Sequence, residues 1–289
     1  MNILTFDIED WWIYGHYNIG KKEDWLPRLD NYLDIILDLL DERKIEATFF
    51  ILGILAKDNP TVVKRISSRG HHIGCHSFLH TFWTEDSLPE EVLSDTQKAL
   101  DIIQNITGEK VDTYRAPAFS ITESSSWILS ILEESGIKYD CSIFPANRSY
   151  GGFSSFSEAK PSLIDLNNDR YIKEFPIAPV QIINKDIVYS GGGYFRLFPY
   201  QLTKFFVEKS DYVMTYFHIK DFDKKQEKQY FSFQGESAFS RYIKNYCGLN
   251  NSFSKFTNLV SQFDFVSVRQ ADRLLQWENQ PLLKLFPNV

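Results

Sequence analysis

A chain of 289 residues that is 43% hydrophobic and 16% aromatic can fill either one large core or two small ones. Its formal charge of −7, with no stretch that concentrates Lys and Arg, excludes nucleic acid as the main partner, because phosphate binding needs a basic face. Cys75, Cys141 and Cys247 match neither a zinc ribbon nor a disulfide framework, and no run of about 18 apolar residues forms a transmembrane segment. The opening Met1-Asn2-Ile3-Leu4-Thr5 has neither the basic nor the apolar region of an export leader, so a cytoplasmic protein is expected.

Along the chain, residues 3–7 read as a buried strand. Pro27 then opens a helix whose Leu33, Ile36, Leu37 and Leu40 form one apolar stripe. Residues 46–52 are a second strand, residues 60–69 a short helix closed by Gly70, and residues 71–76 a third strand. Residues 89–107 are a helix with Val92, Thr96, Ala99 and Ile103 on one face, stopped by Gly108. Thr122 caps a helix running to Gly136, and residues 137–140 return as a strand. Such β-then-α units imply parallel strands joined by crossover helices. Further on, residues 182–189 read as a strand, Gly191-Gly192-Gly193 as a turn, and residues 212–217 as a central strand followed by His218. With no linker and no repeat, the expectation is a single domain over residues 1–289, an α/β barrel with an irregular second half. Its chemistry belongs on loops at the C-terminal ends of the strands.

The sharpest signal is His71-His72-Ile73-Gly74-Cys75-His76-Ser77-Phe78-Leu79-His80, which holds four of the six histidines. A helical turn after the strand would put His76 and His80 on one face, as two ligands of one Zn²⁺-like ion. His71 and His72 alternate into the strand and read as structural, and Cys75 as a buried thiol. Asp7-Ile8-Glu9-Asp10 ends the first strand. Carboxylates crowded there need a cation or a large pKa rise; with a cation, one can complete the metal site while another serves as general base. In Tyr114-Arg115-Ala116-Pro117-Ala118-Phe119, Arg115 can orient a carboxylate, and the turn at Pro117 can present a backbone N–H to an oxyanion. His218 is either a satisfied rim residue or the general acid, and Asp140 is a candidate to hold its tautomer.

In this order, over residues 3–218, the segments resemble the polysaccharide deacetylases of carbohydrate esterase family four. Thr5-Phe6-Asp7 is similar to the family's T-F-D, whose Asp is the catalytic base, and His76-Ser77-Phe78-Leu79-His80 to its metal-binding H-[ST]-x-x-H. Arg115-Ala116-Pro117-Ala118 resembles the segment in which Arg steers the base and the residue after Pro donates an oxyanion N–H. Asp140 falls where an acid tunes the catalytic histidine, and Met214-Thr215-Tyr216-Phe217-His218 is similar to the closing segment that supplies the general acid. The resemblance implies a distorted (β/α) barrel holding one divalent metal ion, usually Zn²⁺, between an acid and two histidines.

Ile8 departs from the pattern, since a second Asp is expected directly after the first. The metal carboxylate is then Asp10, if a short turn after the base brings it back, or Glu9 at strand-like spacing. The opening segment, residues 139–145 and residues 191–199 are similar to a subgroup linked to exopolysaccharide and surface-glycan synthesis. The implied reaction is hydrolysis of the amide of an N-acylated sugar, whether free, nucleotide-linked or lipid-linked. Trp11, Trp12, Trp83 and Tyr194 are candidates to stack on sugar faces. Two alternatives are a hydrolase of a non-sugar amide (a cyclic ureide or formamide) and a catalytically inactive carbohydrate-binding module.

Overall fold

The computed structural model describes residues 1–9, 22–146, 148, 151–156, 158–183, 185–226, 228, 230, 232 and 237–285. Asp10, Trp11 and Trp12 lie outside them. Strands β1 (Asn2–Ile3), β2 (Thr5–Ile8), β3 (Thr48–Ile51), β4 (His72–Cys75), β5 (Thr113–Tyr114) and β6 (Tyr139–Asp140) alternate with helices α1 (Lys22–Arg43), α2 (Gly53–Asp58), α3 (Pro60–Ser68), α4 (Pro89–Thr107) and α5 (Ile128–Glu134). The second half adds β7 (Ser162–Asp165), β8 (Tyr171–Glu174), β9 (Val180–Ile182), β10 (Lys185–Ile187), β11 (Val213–Met214), β12 (Phe217–His218) and β13 (Leu282–Lys284). Its helices are α6 (Gly192–Leu197), α7 (Tyr200–Lys209), α8 (Ala238–Tyr246), α9 (Leu249–Gln262) and α10 (Val268–Leu274).

The central sheet runs β12-β2-β3-β4-β5-β6-β8-β7-β13, and every pairing in it is parallel except β7 with β8. This is the α/β architecture of a distorted barrel, with crossover helices packed outside parallel strands. Within the core, Phe6 stacks on Phe49 with ring centroids 4.8 Å apart. Phe217 and Phe256 complete that aromatic cluster. Leu33, Ile36, Leu37 and Leu40 of α1 are fully buried, as their spacing predicts.

Several boundaries differ from expectation. Pro27 lies inside α1 rather than at its start, so proline's preference for the first helical turn misplaces the beginning. Thr122 instead joins Ser124 and Ser125 in a hydroxyl-bonded turn, and α5 starts only at Ile128. The run 182–189 is not one strand, because Ile183 at φ 48° turns the chain into the antiparallel β9–β10 hairpin. The glycine triplet opens α6 instead of forming a turn. A Cβ on Gly191 would stand 2.2 Å from the Tyr216 carbonyl oxygen, and Gly192 adopts φ +54°, so this close approach requires glycine. The late strand is interrupted between β11 and β12. Thr215 spans the gap, its Oγ1 accepting from the Thr5 N–H at 2.8 Å.

Register then decides what meets. His218 pairs with Asp7, Cys75 with Tyr114, and Tyr114 with Asp140. The C-terminal ends of β2, β4, β5, β6 and β12 therefore deliver Asp7, His76, Arg115, Asp140 and His218 to one end of the barrel.

Candidate active site

Asp7 and Arg115 are both buried, and the Arg115 guanidinium sits 4.2 Å from the Phe50 ring centroid. Its Nη1 donates to Asp7 Oδ1 and to Thr5 Oγ1, each at 2.8 Å, while Nε donates to the Cys141 carbonyl at 3.2 Å. An ion pair this dry, with its donors shared among fixed acceptors, holds Asp7 in one orientation. Removing either partner strands a buried charge.

The reach from His76 to His80 is achieved without a helical turn. Residues 76–80 form a loop in which Ser77 (φ 62°) and His80 (φ 60°) take left-handed backbone conformations, at roughly 1 kcal/mol each. Asp95 on α4 holds the loop, accepting from the Phe78 N–H at 2.8 Å and the Leu79 N–H at 3.3 Å. Burial lifts the Asp95 carboxyl to about 6 even against those two bonds.

The two imidazoles stand with centroids 5.5 Å apart and converge on Glu9. His76 Nδ1 donates to the Arg115 carbonyl at 2.7 Å, which leaves Nε2 to face Glu9 Oε2 at 3.3 Å. His80 Nε2 contacts the same oxygen, and the Glu9, His76 and His80 ligand atoms all lie within 4.8 Å of one another. Three buried donors of this kind around one point fit a divalent ion. Burial pushes the Glu9 carboxyl up, but His80 and His218 outweigh it and hold Glu9 well below the usual carboxylate range. Burial pushes both imidazoles down, yet the hydrogen bond to Glu9 leaves His76 raised while His80 stays lowered. Of the two expected metal carboxylates, Glu9 thus stands in the cluster and Asp10 lies outside the described residues.

His218 reaches the other Glu9 oxygen, Nε2 to Oε1 at 3.0 Å. The His218 side chain also accepts from the Asp221 backbone N–H, while the Asp221 carboxylate accepts from the His218 backbone N–H at 2.9 Å. Asp221 Oδ2 also lies 3.5 Å from Nδ1, and its other oxygen pairs with Arg196. The expectation that Asp140 partners His218 is therefore corrected. Asp140 accepts from the Ser142 hydroxyl at 2.6 Å and the Ser142 N–H at 3.1 Å and pairs with buried Glu174, because the β6–β8 register sets those two acids side by side.

Asp7, Glu9, His76, His80 and His218 line one cavity, and Ala118 borders it at φ 56°, its carbonyl accepting from Arg148 Nη1 at 2.6 Å. Trp83 is not a stacking surface, being 2% exposed with its indole N–H donating to the Tyr114 hydroxyl at 2.8 Å. His71 and His72 are buried structural residues as expected, and desolvation lowers them to about 4 and about 3. Asp221, Arg196, Asp95 and Glu174 were not singled out by the sequence. Only Asp221, three residues after His218, carried a local signal.

Two family models tile the chain: residues 3–139 match the polysaccharide deacetylases, and residues 141–273 match a domain of unknown function, DUF3473. The polysaccharide deacetylase match takes in a little under half of the chain, residues 3–139. The family stretch supplies Asp7, Glu9, His76, His80 and Arg115, whereas His218 and Asp221 come from the second stretch.

The chain is 35% identical over 108 residues to the peptidoglycan-N-acetylmuramic acid deacetylase PdaA of Bacillus subtilis, covering 36% of this chain and 37% of PdaA. It is 34% identical over 111 residues to a peptidoglycan-N-acetylglucosamine deacetylase of Bacillus cereus, covering 38% and 40%. The matches thus span less than half the length of these relatives. A solved protein of Mycobacterium smegmatis assigned to the polysaccharide deacetylases aligns over 100% of this chain and 94% of its own, with a TM-score of 0.68 at 14% identity. A mutant of the Bacillus anthracis CE4 family pseudoenzyme BA3943, with restored enzymatic activity, aligns over 93% of this chain and 66% of its own at a TM-score of 0.50 and 15% identity. At such identities these structures show the fold alone.

Proposed function

We propose that this chain is a metal-dependent amide hydrolase that removes an acyl group from the nitrogen of an amino sugar in a surface glycan or its precursor. One observation carries the reading: an Arg-braced carboxylate, a buried Glu–His–His cluster and an Asp-backed histidine converge at one barrel end. The names of the peptidoglycan-deacetylating relatives support the sugar amide. Both matched stretches contribute strands to one sheet, which supports a single catalytic domain.

A divalent ion held by Glu9, His76 and His80, Zn²⁺ by the character of those donors, supplies Lewis acidity to the acyl oxygen and to water. Asp7, fixed by Arg115, accepts the proton of the attacking water. His218 presents Nε2 to the reaction centre. Asp221, 3.5 Å from Nδ1, holds the ring so that Nε2 can deliver a proton to the leaving nitrogen. The Ala118 turn borders the space where the acyl oxyanion develops.

The test is acetate release and newly freed amine on N-acetylated sugars, alongside metal content before and after chelation. Loss of activity with the metal, and its return with Zn²⁺, is expected. Turnover that survives complete metal removal sinks the mechanism, and release confined to formamides or cyclic ureides sinks the sugar assignment.

A further inference from the structure

Asp140, which partners Ser142 and Glu174 rather than His218, is tied through Ser142 to the turn that borders the oxyanion. Ser142 is fully buried and takes no part in the proton transfers described above. Its hydroxyl accepts from the Ala116 N–H at 2.7 Å and donates to Asp140 Oδ1 at 2.6 Å. Those roles are forced, because a backbone N–H can only donate and the hydroxyl's single proton is left for the carboxylate. A hydroxyl-to-carboxylate bond of that length is charge-assisted, and stronger than one between neutral groups. The Ser142 N–H adds a second bond, to Asp140 Oδ2 at 3.1 Å.

What this bridge holds is a strained segment. Ala118 and Phe119 take consecutive left-handed conformations, φ 56° and 53°, which non-glycine residues keep only where their surroundings over-determine them. The turn closes on itself, the Phe119 and Ser120 N–H groups donating to the Ala116 and Pro117 carbonyls at 3.0 and 3.1 Å. At its exit, Arg148 Nη1 and the Gly152 N–H donate to the Ala118 and Phe119 carbonyls at 2.6 and 3.2 Å. At its entry, the anchor is the Ser142 hydroxyl. Pro117 has no N–H, and those of Ala116, Phe119 and Ser120 are bonded. Among the described residues, the Ala118 N–H is therefore the turn's remaining donor, on a residue that lines the catalytic cavity.

The bridge is backed from behind. Register sets Glu174 beside Asp140, and Glu174 Oε1 accepts from the Ile143 N–H at 3.2 Å, one residue past Ser142. Burial and the Asp140 charge push the Glu174 carboxyl well above its usual range, so it meets Asp140 as a proton donor. Asp140 thus keeps the acceptor oxygens that Ser142 needs. Ser142 and Glu174 both lie in the second matched stretch, whereas the turn they support lies in the first. We infer that Ser142 is a positioning residue: braced by Asp140 and Glu174, its hydroxyl fixes the Ala116–Ala118 turn and so holds the Ala118 N–H for the developing oxyanion. The oxyanion rests on the deacetylase reading; the hydroxyl bridge does not.

Three variants of the metal-loaded protein test this on N-acetylated sugars. Ser142→Ala deletes the hydroxyl, Ser142→Cys keeps the volume but hydrogen-bonds weakly, and Ser142→Thr keeps the hydroxyl. Ser142→Ala should lose about tenfold or more in kcat, short of the roughly 10²–10³ that loss of a whole oxyanion donor costs. KM and metal content should stay within about twofold, the mark of an interaction made only in the transition state. The methylphosphonamidate of glucosamine, tetrahedral like the intermediate, should bind more weakly by the same factor as kcat falls, while glucosamine binds unchanged. Ser142→Thr should recover most of kcat, and Ser142→Cys should show the deficit even where the alanine variant does not fold. A loss that falls on KM or on glucosamine binding, or parental kcat in Ser142→Ala, overturns the inference. Amide exchange followed by isotopic labelling of alanine reads the bridge without any turnover. The Ala116 amide should exchange slowly in the parent and much faster without the hydroxyl, with the Ala118 signal shifted and that of core Ala99 unmoved. Unchanged Ala116 exchange overturns the inference whatever the activity. A parent that releases no acetate from N-acetylated sugars overturns only the deacetylase reading, and the alanine amides still decide this one.

Discussion

Glu9 and Glu174 are both buried at strand ends of the same barrel, yet they stand on opposite sides of the usual carboxylate range. Around Glu9, His80 and His218 overcome the burial that would lift it, and the group is held charged. Around Glu174, burial is reinforced by the neighbouring Asp140, and the group is pushed well above its ordinary value to hold the proton the pair shares. Burial sets the stakes in both places, and the partner decides the sign. One carboxylate is thereby poised to hold a cation, while the other keeps its proton beside Asp140 and accepts from the Ile143 N–H.

The same conservative change should accordingly give opposite results at the two sites. Glu9→Gln removes the charge that gathers three histidines, so metal content by elemental analysis should collapse and turnover with it, by about 10³-fold or more. Retention of a full equivalent of metal would move the ligand role elsewhere, Asp10 being next. His218→Ala should keep the metal and lose about 10²–10⁴ in rate, with an amide suffering more than an ester of the same sugar, because an alkoxide leaves without help more readily than an amide anion. Equal losses on both substrates would reduce His218 to shaping the cavity. Asp221→Asn should cost about 10–100-fold, again more on the amide, as a residue acting through the imidazole.

Glu174→Gln is the mildest change, with metal and activity kept. A glutamate raised in the folded state contributes stability that is present below its unfolded value of 4.5 and is lost as pH rises toward the folded value. The Gln variant has no such loss. Its advantage over the parent in denaturant unfolding should therefore grow from about pH 4.5 upward, to on the order of 1 kcal/mol or more at neutral pH. A variant less stable at pH 8 than at pH 5, relative to the parent, would show that Glu174 is charged in the native state.

Much of this site was legible because its members follow apolar strands, where a barrel concentrates chemistry. Asp7, His76, His80, Arg115 and His218 were all visible in that way. What stayed hidden depends on contacts between strands. Nothing near Asp140 in the chain announces Glu174, and only the β6–β8 register places them together. The His76–His80 loop was misread because left-handed Ser77 and His80 are paid for by Asp95, which lies on α4. In the second half, Ile183 and Thr215 bend or interrupt strands whose composition alone reads as continuous.

The pairing of His218 with Asp7 joins residues 211 positions apart, whereas the Glu9–His76–His80 cluster is complete within the first 80 residues. Contacts of such unequal span form on unequal schedules, since closing the longer loop costs more chain entropy. During refolding the chain should acquire its metal before it acquires turnover. Until β12 docks, the β2 backbone is a bare edge that offers itself to any other strand. Activity regained is then a late clock for the last strand, and metal uptake an early one for the rest.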